Sequence, residues 1–233
     1  MQSCINRLVS FSLSKVLLVI AAPVACLSQS WEVGGAGGYG WYITPTISNP
    51  AGSAQAGFPN RAAVGVVFGN NMYQYLGGEI RYLFRFGGPE LIWGGVQTPS
   101  GVQTSVGAAQ TNLHGYTNLI DYDLLVHLRP RDVKLRPFFA GGAGIKVFTG
   151  KDEPGIRQTL PEFARLIPTT QVEPVISAGA GVKYRFTRHA LFRIDFRLYF
   201  SPLPNDIFRT PASAAIHGWV FDYVPMAGIS YVF

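Results

Sequence analysis

The sequence predicts an all-β fold, an eight-stranded antiparallel up-and-down transmembrane β-barrel. Three observations predict it. Bulky apolar side chains return at every second residue in eight segments, which is the period of a β-strand and not of a helix. Short turns and long loops alternate between these segments. In most of these segments, charged residues and glycines share the face that lies opposite the apolar one.

Two parts of the chain are expected, a secretory signal peptide at 1–30 and the barrel domain at 31–233. Arg7 and Lys15 supply the positive charge with which a signal peptide begins, and the apolar run 16–24 (VLLVIAAPV) has the length of its central region. This run is too short for a transmembrane helix, which needs roughly 20 apolar residues.

Small residues after the apolar run predict cleavage after Ser28 or Ser30. Cys26 leaves lipidation open, although Pro23 stands where a lipoprotein signal has Leu or a similar residue. Both cysteines lie within the first 26 residues, so we expect neither cysteine catalysis nor a thiolate metal site in the mature chain.

The strands are assigned from the alternation, in chain order. The seventh is the clearest, because Phe192, Ile194 and Phe196 alternate with charged residues. Asn70 and Asn71 predict a tight turn between the second and third strands, since Asn tolerates left-handed backbone angles. The predicted strands are Trp31–Ile43, Arg61–Gly69, Met72–Phe86, Leu113–Leu128, the segment after Asp132 up to about Thr149, Gln171–Phe186, Phe192–Phe200 and the terminal Trp219–Phe233.

Long connections follow the first, third, fifth and seventh strands, at about 44–60, 87–112, 150–170 and 201–217. Short turns follow the others, so the long loops gather at one end of the barrel and both termini at the other. The third loop could hold a short helix around Glu162–Leu166. Pro225, near the middle of the last strand, is expected to require a β-bulge because proline lacks a backbone donor.

Alternation alone does not separate a membrane barrel from a soluble one, whose apolar face points inward. The charged face is also the glycine face, and glycine weakens a strand without benefit on an open surface. Inside a narrow barrel it makes room for long side chains, so we predict that the charges fill the lumen. Six acids and seven bases nearly cancel there. The predicted lumen network is Glu79, Arg81, Arg85, Asp121, Asp123, Lys146, Glu173, Lys183, Arg185, Arg193, Asp195, Arg197 and Asp222.

The chain resembles the small OmpA/OmpX-like outer-membrane β-barrel family of Gram-negative bacteria. The resemblance is carried by the terminal WVFDYVPMAGISYVF, by GGEIRYLFRFGG and by FRIDFRLYF. It implies a place in the bacterial outer membrane as a monomer, contact with outer-membrane lipid and lipopolysaccharide, and insertion by the barrel-assembly machinery. The membrane-insertion signal that it implies consists of Tyr223, Ile229, Tyr231 and Phe233.

We expect a structural or surface-interaction barrel that is not an enzyme and has no catalytic residue, cofactor or metal. The even spread of charges over the strands favours a structural network over a site. A narrow channel for ions or small solutes is the alternative. A lipid A-modifying hydrolase, using Ser213 with His114 or His217 near the loop end, is less expected. Nucleic-acid binding is not expected, because the sequence shows no one-sided basic cluster.

Overall fold

The computed structural model describes residues 31–43, 45–49, 52–71, 73–94, 96–97, 103–104, 110–152, 164–210 and 218–233. No helix in this part of the chain is long and apolar enough to cross a membrane. The strands are β1 (Trp31–Ile43), β2 (Thr46–Asn49), β3 (Gly52–Gly57), β4 (Arg61–Asn70), β5 (Leu76–Phe86), β6 (Glu90–Gly94), β7 (Val96–Gln97), β8 (Gln103–Thr104), β9 (Gln110–Asn112), β10 (His114–His127), β11 (Leu135–Lys151), β12 (Arg165–Leu166), β13 (Thr170–Arg185), β14 (Ala190–Pro202), β15 (Phe208–Arg209) and β16 (Trp219–Val232).

Eight of these strands close a barrel in the order β1, β4, β5, β10, β11, β13, β14 and β16, and β16 pairs back to β1. Every neighbouring pair is antiparallel. The predicted eight-stranded antiparallel barrel is therefore confirmed. We call the end that carries the short connections the turn end and the opposite end the loop end.

The strand register fixes the width of the barrel. A path that starts at Trp31 and passes from each residue to its paired residue on the next strand returns to β1 at Trp41, ten residues further along. The residues on this path are Asn70, Gly78, Leu124, Gly141, Ala178, Leu198 and Tyr223. Such a stagger in an eight-stranded barrel corresponds to strands tilted by about 40° and to an interior that side chains can fill.

Two predictions about the barrel strands are wrong. The third barrel strand begins at Leu76, because residues 73–75 before it are not in a strand, and the predicted first residue, Met72, lies outside the described residues. The register of β16 is also continuous across Pro225. Its pairing with β1 resumes unchanged on the other side of the proline, and its pairing with β14 is unbroken, so that no bulge is needed.

At the loop end half of the wall continues beyond the barrel. The strands β2, β3, β6 and β9 form a sheet in that order, and they adjoin β1, β4, β5 and β10 in the chain. The third long loop does not form a helix at Arg165–Leu166. These residues pair with Phe208–Arg209 of β15, and Leu166 is buried in the loop-end core. Residues 153–163, where the rest of that prediction falls, lie outside the described residues.

The two faces of the barrel meet different media, as the alternation predicted. Side chains such as Val66, Tyr122 and Ile194 are exposed on the outside, whereas the inward charges are buried. Aromatic rings collect near both ends of the outer face. Trp31 stacks on Phe68 at 5.0 Å at the turn end, and Phe200 meets Phe221 at 5.4 Å at the loop end. An apolar belt between two aromatic bands is the exterior of a transmembrane β-barrel.

Candidate functional site: a charged and closed lumen

The lumen near the turn end is organised around Glu79 on β5. Its Oε1 accepts hydrogen bonds from Arg81 Nη2 at 2.7 Å, Arg193 Nη2 at 3.1 Å and Arg197 Nη2 at 3.3 Å. Its Oε2 lies 3.0 Å from Arg193 Nη1. Three guanidinium groups from two strands thus share one buried carboxylate.

Two further carboxylates extend this network around the wall. Asp195 Oδ2 lies 2.7 Å from Arg193 Nη2 and 3.0 Å from Arg81 Nη2. Asp123 Oδ2 lies 2.8 Å from Arg197 Nη1, and Ser177 Oγ donates to the other oxygen of Asp123. Each of these arginines therefore neutralises more than one acid.

Glu32 on β1 is a member of the network that our sequence analysis missed. Lys183 Nζ donates to its Oε2 at 2.5 Å, Arg193 Nη1 to its Oε1 at 3.2 Å, and Asn71 Nδ2 to its Oε2 at 3.2 Å. The signal was present in the sequence, because the alternation of β1 places Glu32 on the glycine-rich inward face.

A smaller ionic cluster lies closer to the loop end. Asp222 on β16 accepts hydrogen bonds from Arg85 and, at 3.0 Å, from Lys146 Nζ. The Tyr42 ring covers both cations, with its centre 4.0 Å from the Arg85 guanidinium carbon and 4.8 Å from Lys146 Nζ. This carboxylate thus holds two cations from different strands, while the aromatic ring adds cation–π attraction.

An apolar layer separates the two ionic clusters. Leu83 lies between Arg81 and Arg85 along β5, and Val224 lies on β16 two residues before Met226 and two after Asp222. The layer is a single buried cluster formed by Ala36, Ala63, Leu83, Leu119, Val175, Tyr199, Val224 and Met226. The middle of the lumen therefore contains a layer of hydrocarbon and one phenol, and the buried carboxylate of Asp121 follows Leu119 of this layer by two residues on β10.

The loop end of the lumen is covered by a second buried apolar cluster, which we call the apolar seal. Phe58 lies at its centre, stacked on Phe148 at 4.6 Å and edge-on to Phe208 at 5.7 Å. Both barrel strands and loops contribute to it. Its members are Ala56, Phe58, Leu91, Leu113, Phe148, Ala164, Leu166, Leu203, Ile207, Phe208 and Val220.

The structure brings most of the predicted lumen residues together and leaves two apart. Asp121 is buried with the others, yet no cation lies within ion-pairing distance of it in the described part of the chain. The residues that share the buried lumen are Glu79, Arg81, Arg85, Asp121, Asp123, Lys146, Lys183, Arg193, Asp195, Arg197 and Asp222.

Glu173 and Arg185 do not join the network, so their assignment is corrected. Glu173 is half-buried near the loop end and accepts a hydrogen bond from Gln171 Nε2 at 2.6 Å. Arg185 is half-buried at the turn end. Both have the inward register, but they lie near the two ends of β13, beyond the carboxylates and cations of the packed lumen.

A one-sided basic cluster is present after all, at the turn end. We call it the turn-end cluster, and its members line one hollow beside Asn71: Arg131, Lys134, Arg136, Lys183 and Arg185. Part of the signal was present in the sequence, because Arg129, Arg131, Lys134 and Arg136 fall within eight residues that hold a single acid, Asp132. The approach of Lys183 and Arg185 could not be read from the sequence, because it depends on the closed barrel.

The predicted insertion residues lie on the outer face of the last strand. Ile229, Tyr231 and Phe233 are exposed and Tyr223 is partly exposed. Tyr231 packs against Phe233 at 5.2 Å, and the Phe233 amide donates to the Trp31 carbonyl at 3.0 Å. Their recognition during insertion stays a prediction.

The residues of the hydrolase alternative are only partly visible. Ser213 and His217 lie outside the described residues, while His114 is exposed at the start of β10. In the described ranges, no group of three or more His, Cys, Asp or Glu residues is placed to hold a metal ion.

Comparisons with known proteins identify the architecture. No protein-family model matches the sequence, and no curated protein matches it. Among solved structures, Neisserial surface protein A is 12% identical with a TM-score of 0.52, and the alignment covers 87% of this chain and 97% of that one. The outer membrane protein OprG from Pseudomonas aeruginosa is 13% identical with a TM-score of 0.51, covering 88% of this chain and 97% of that one.

The N-terminal β-barrel domain of Pseudomonas aeruginosa OprF is also similar, with 15% identity, a TM-score of 0.47 and coverage of 88% of this chain and 98% of that one. Small barrels with a lipid-facing apolar belt and a polar interior are the form that proteins take in bacterial outer membranes. The chain therefore has the fold of the small eight-stranded outer-membrane β-barrels, as its resemblance to the OmpA/OmpX-like proteins predicted.

Proposed function

We propose that this protein is an integral outer-membrane barrel with a structural or surface-interaction role, that it does not conduct solutes and that it is not an enzyme. The observation that carries the proposal is the apolar seal, which lies over a lumen already filled by paired charges. A barrel that is closed by the ionic network and again by the apolar seal offers no continuous polar path for solutes. It can serve as a rigid support for the strands and loops at its loop end.

The same observation weighs against the narrow-channel alternative. An ion entering from the turn end would have to separate carboxylates and guanidinium groups that contact each other at 2.7 to 3.3 Å. It would next have to cross the apolar layer around Leu83 and Val224, where the loss of hydration is costly. We therefore infer that the paired charges fill the lumen and do not form a path for ions.

The proposed partners follow from the two surfaces. The apolar outer face suits outer-membrane lipid, and the loop end, with its sheet of β2, β3, β6 and β9, would face the cell exterior among lipopolysaccharide molecules. The turn end would face the periplasm. We propose a monomer, because the barrel closes on itself without a free sheet edge.

Cysteine labelling on intact cells tests this placement, since the predicted mature chain has no cysteine of its own. Lys151 at the loop end and Arg188 at the turn end are both exposed, and each is replaced by Cys. A membrane-impermeant maleimide should label Lys151→Cys on intact cells and Arg188→Cys only after the outer membrane is permeabilised. Equal labelling of the two variants on intact cells would overturn the proposed orientation.

The insertion signal is tested by removing Phe233. Deletion of this residue should reduce the amount of folded barrel in cell envelopes several-fold, because the assembly machinery would no longer find the terminal aromatic residue. The purified variant refolded in vitro should lose only about 1–2 kcal/mol, since the side chain is half exposed and one backbone hydrogen bond, to the Trp31 carbonyl, is lost. Normal envelope levels of the deletion variant would contradict the role of Phe233.

A further inference from the structure

The turn-end cluster surrounds a small hollow at the end of the lumen that faces away from the apolar seal. Its floor is buried, with Arg136 6% and Lys183 2% exposed, and Arg131 and Arg185 are half-buried around it. Lys134 is exposed at the rim. Positive charge is thus graded from a buried floor to an accessible edge.

These cations are not neutralised as the lumen cations are. Arg136 donates to three neutral oxygens: Asn71 Oδ1 at 3.2 Å, the Gln74 carbonyl at 2.6 Å and the Arg129 carbonyl at 3.2 Å. Arg131 donates to the Asn71 carbonyl at 3.3 Å. Within the described part of the chain, neither arginine has a carboxylate at ion-pairing distance, whereas Arg81, Arg193 and Arg197 each contact two or more.

A second observation points to an absent partner. The Nε atom of Arg185 is buried, and among the described residues it has no hydrogen-bond acceptor. A buried donor on a charged group is costly to leave without an acceptor. Among the described residues, Lys183 is the one cation of the five around the hollow with an acid at ion-pairing distance, Glu32 at 2.5 Å, and that acid is shared with Arg193. Within the described ranges, Arg131, Arg136 and Arg185 thus face the same hollow without a carboxylate at ion-pairing distance, which makes the hollow favourable for an anion.

We propose that the turn-end cluster is a binding site for a phosphate group. Guanidinium forks match the oxygens of phosphate in pairs, and lysines add point charges. The hollow is partly open and small, with about 20 Å³ of space inside it, enough for water. A phosphate would therefore sit at the opening with its oxygens toward Arg131, Arg136 and Arg185, and any group esterified to it would remain outside.

Two sources have this chemistry, free phosphate and the headgroup of an anionic phospholipid in the leaflet at the turn end. The test variant is Arg131→Gln with Arg185→Gln. Its matched control, Arg129→Gln with Arg188→Gln, removes the same charge from exposed positions that lie within three residues of the test positions but do not line the hollow. The shift in gel mobility on heating reports that each variant is folded.

In one arm, inorganic phosphate is titrated by calorimetry into the protein in a zwitterionic detergent. In the other, the protein is placed in phosphatidylcholine bilayers with and without phosphatidylglycerol, and ³¹P NMR measures the bound headgroups. We expect saturable binding in at least one arm, weakened at least tenfold in the test variant and less than twofold in the control. The responding arm identifies the source. Lack of saturable binding in both arms, or equal weakening in the two variants, would overturn the site.

Discussion

The two ends of the lumen are closed by different physical means. Near the turn end Glu79 and its neighbours form a buried ionic network, all of whose members project from barrel strands. At the loop end Phe58, Leu203 and Ile207 come from connecting segments and pack on barrel residues such as Phe148. One closure is specified by strand register and the other by loop folding.

The difference bears on what each closure contributes. Buried ion pairs add little net stability, because the charges lose their hydration, but an ion that loses its partner is strongly destabilising. Apolar burial stabilises roughly in proportion to the area removed from water. We infer that the network fixes which side chains fill the lumen, whereas the apolar seal stabilises the loops and could be weakened without destroying the barrel.

Glu79→Gln should have the largest effect. It removes the charge that Arg81, Arg193 and Arg197 share, and we expect a loss of about 3–5 kcal/mol in the free energy of unfolding, measured by urea titration in lipid vesicles. Glu173→Gln makes the same change at a half-buried acid outside the network and should cost less than about 0.5 kcal/mol. Equal losses would show that the network does not depend on Glu79.

Phe58→Ala tests the apolar seal and should cost about 3 kcal/mol by loss of the contacts with Phe148 and Phe208. Phe58→Leu keeps most of the apolar volume and should cost about 1 kcal/mol. Limited proteolysis gives a second measurement. The alanine variant should be cut in the loops while its barrel core stays intact. Cutting of the loops in the wild-type protein at the same rate would contradict the seal.

Gly142→Ala sharpens the strand side of the comparison and should cost about 1–3 kcal/mol by overpacking. A Cβ atom at this position would come within 2.0 Å of the Tyr122 carbonyl oxygen and 2.5 Å of Asp123 Oδ1. At Gly37 a Cβ would meet nothing within 4 Å, so Gly37→Ala should be neutral or slightly stabilising. If both substitutions are neutral in urea titrations, the lumen is looser than its contacts indicate.

The strand-built closure could be predicted from the sequence because period-two alternation assigns each residue to one face. Arg193, Asp195 and Arg197 were placed correctly on this basis alone. Alternation does not say where the packed interior ends, which is why Glu173 and Arg185 were wrongly included. The alternation also places Glu32 on the inward face. This residue was overlooked because it is the single acid in a glycine-rich strand.

The apolar seal could not be predicted in the same way. Phe58 and Phe208 are 150 residues apart and lie outside the barrel strands, so no local pattern joins them. The helix expected near Leu166 failed for the same reason, because pairing with Phe208 decides the conformation there. The turn-end cluster brings residues of the turn at 129–134 together with Arg185 of β13, and that meeting depends on the closed topology.

The central claim is that the lumen is closed, and single-channel recording of the purified wild-type protein in planar bilayers tests it most directly. Closure by the ionic network, the apolar layer and the apolar seal predicts a flat current in concentrated salt at voltages of either sign. Stable, reproducible openings of the folded wild-type barrel would contradict it.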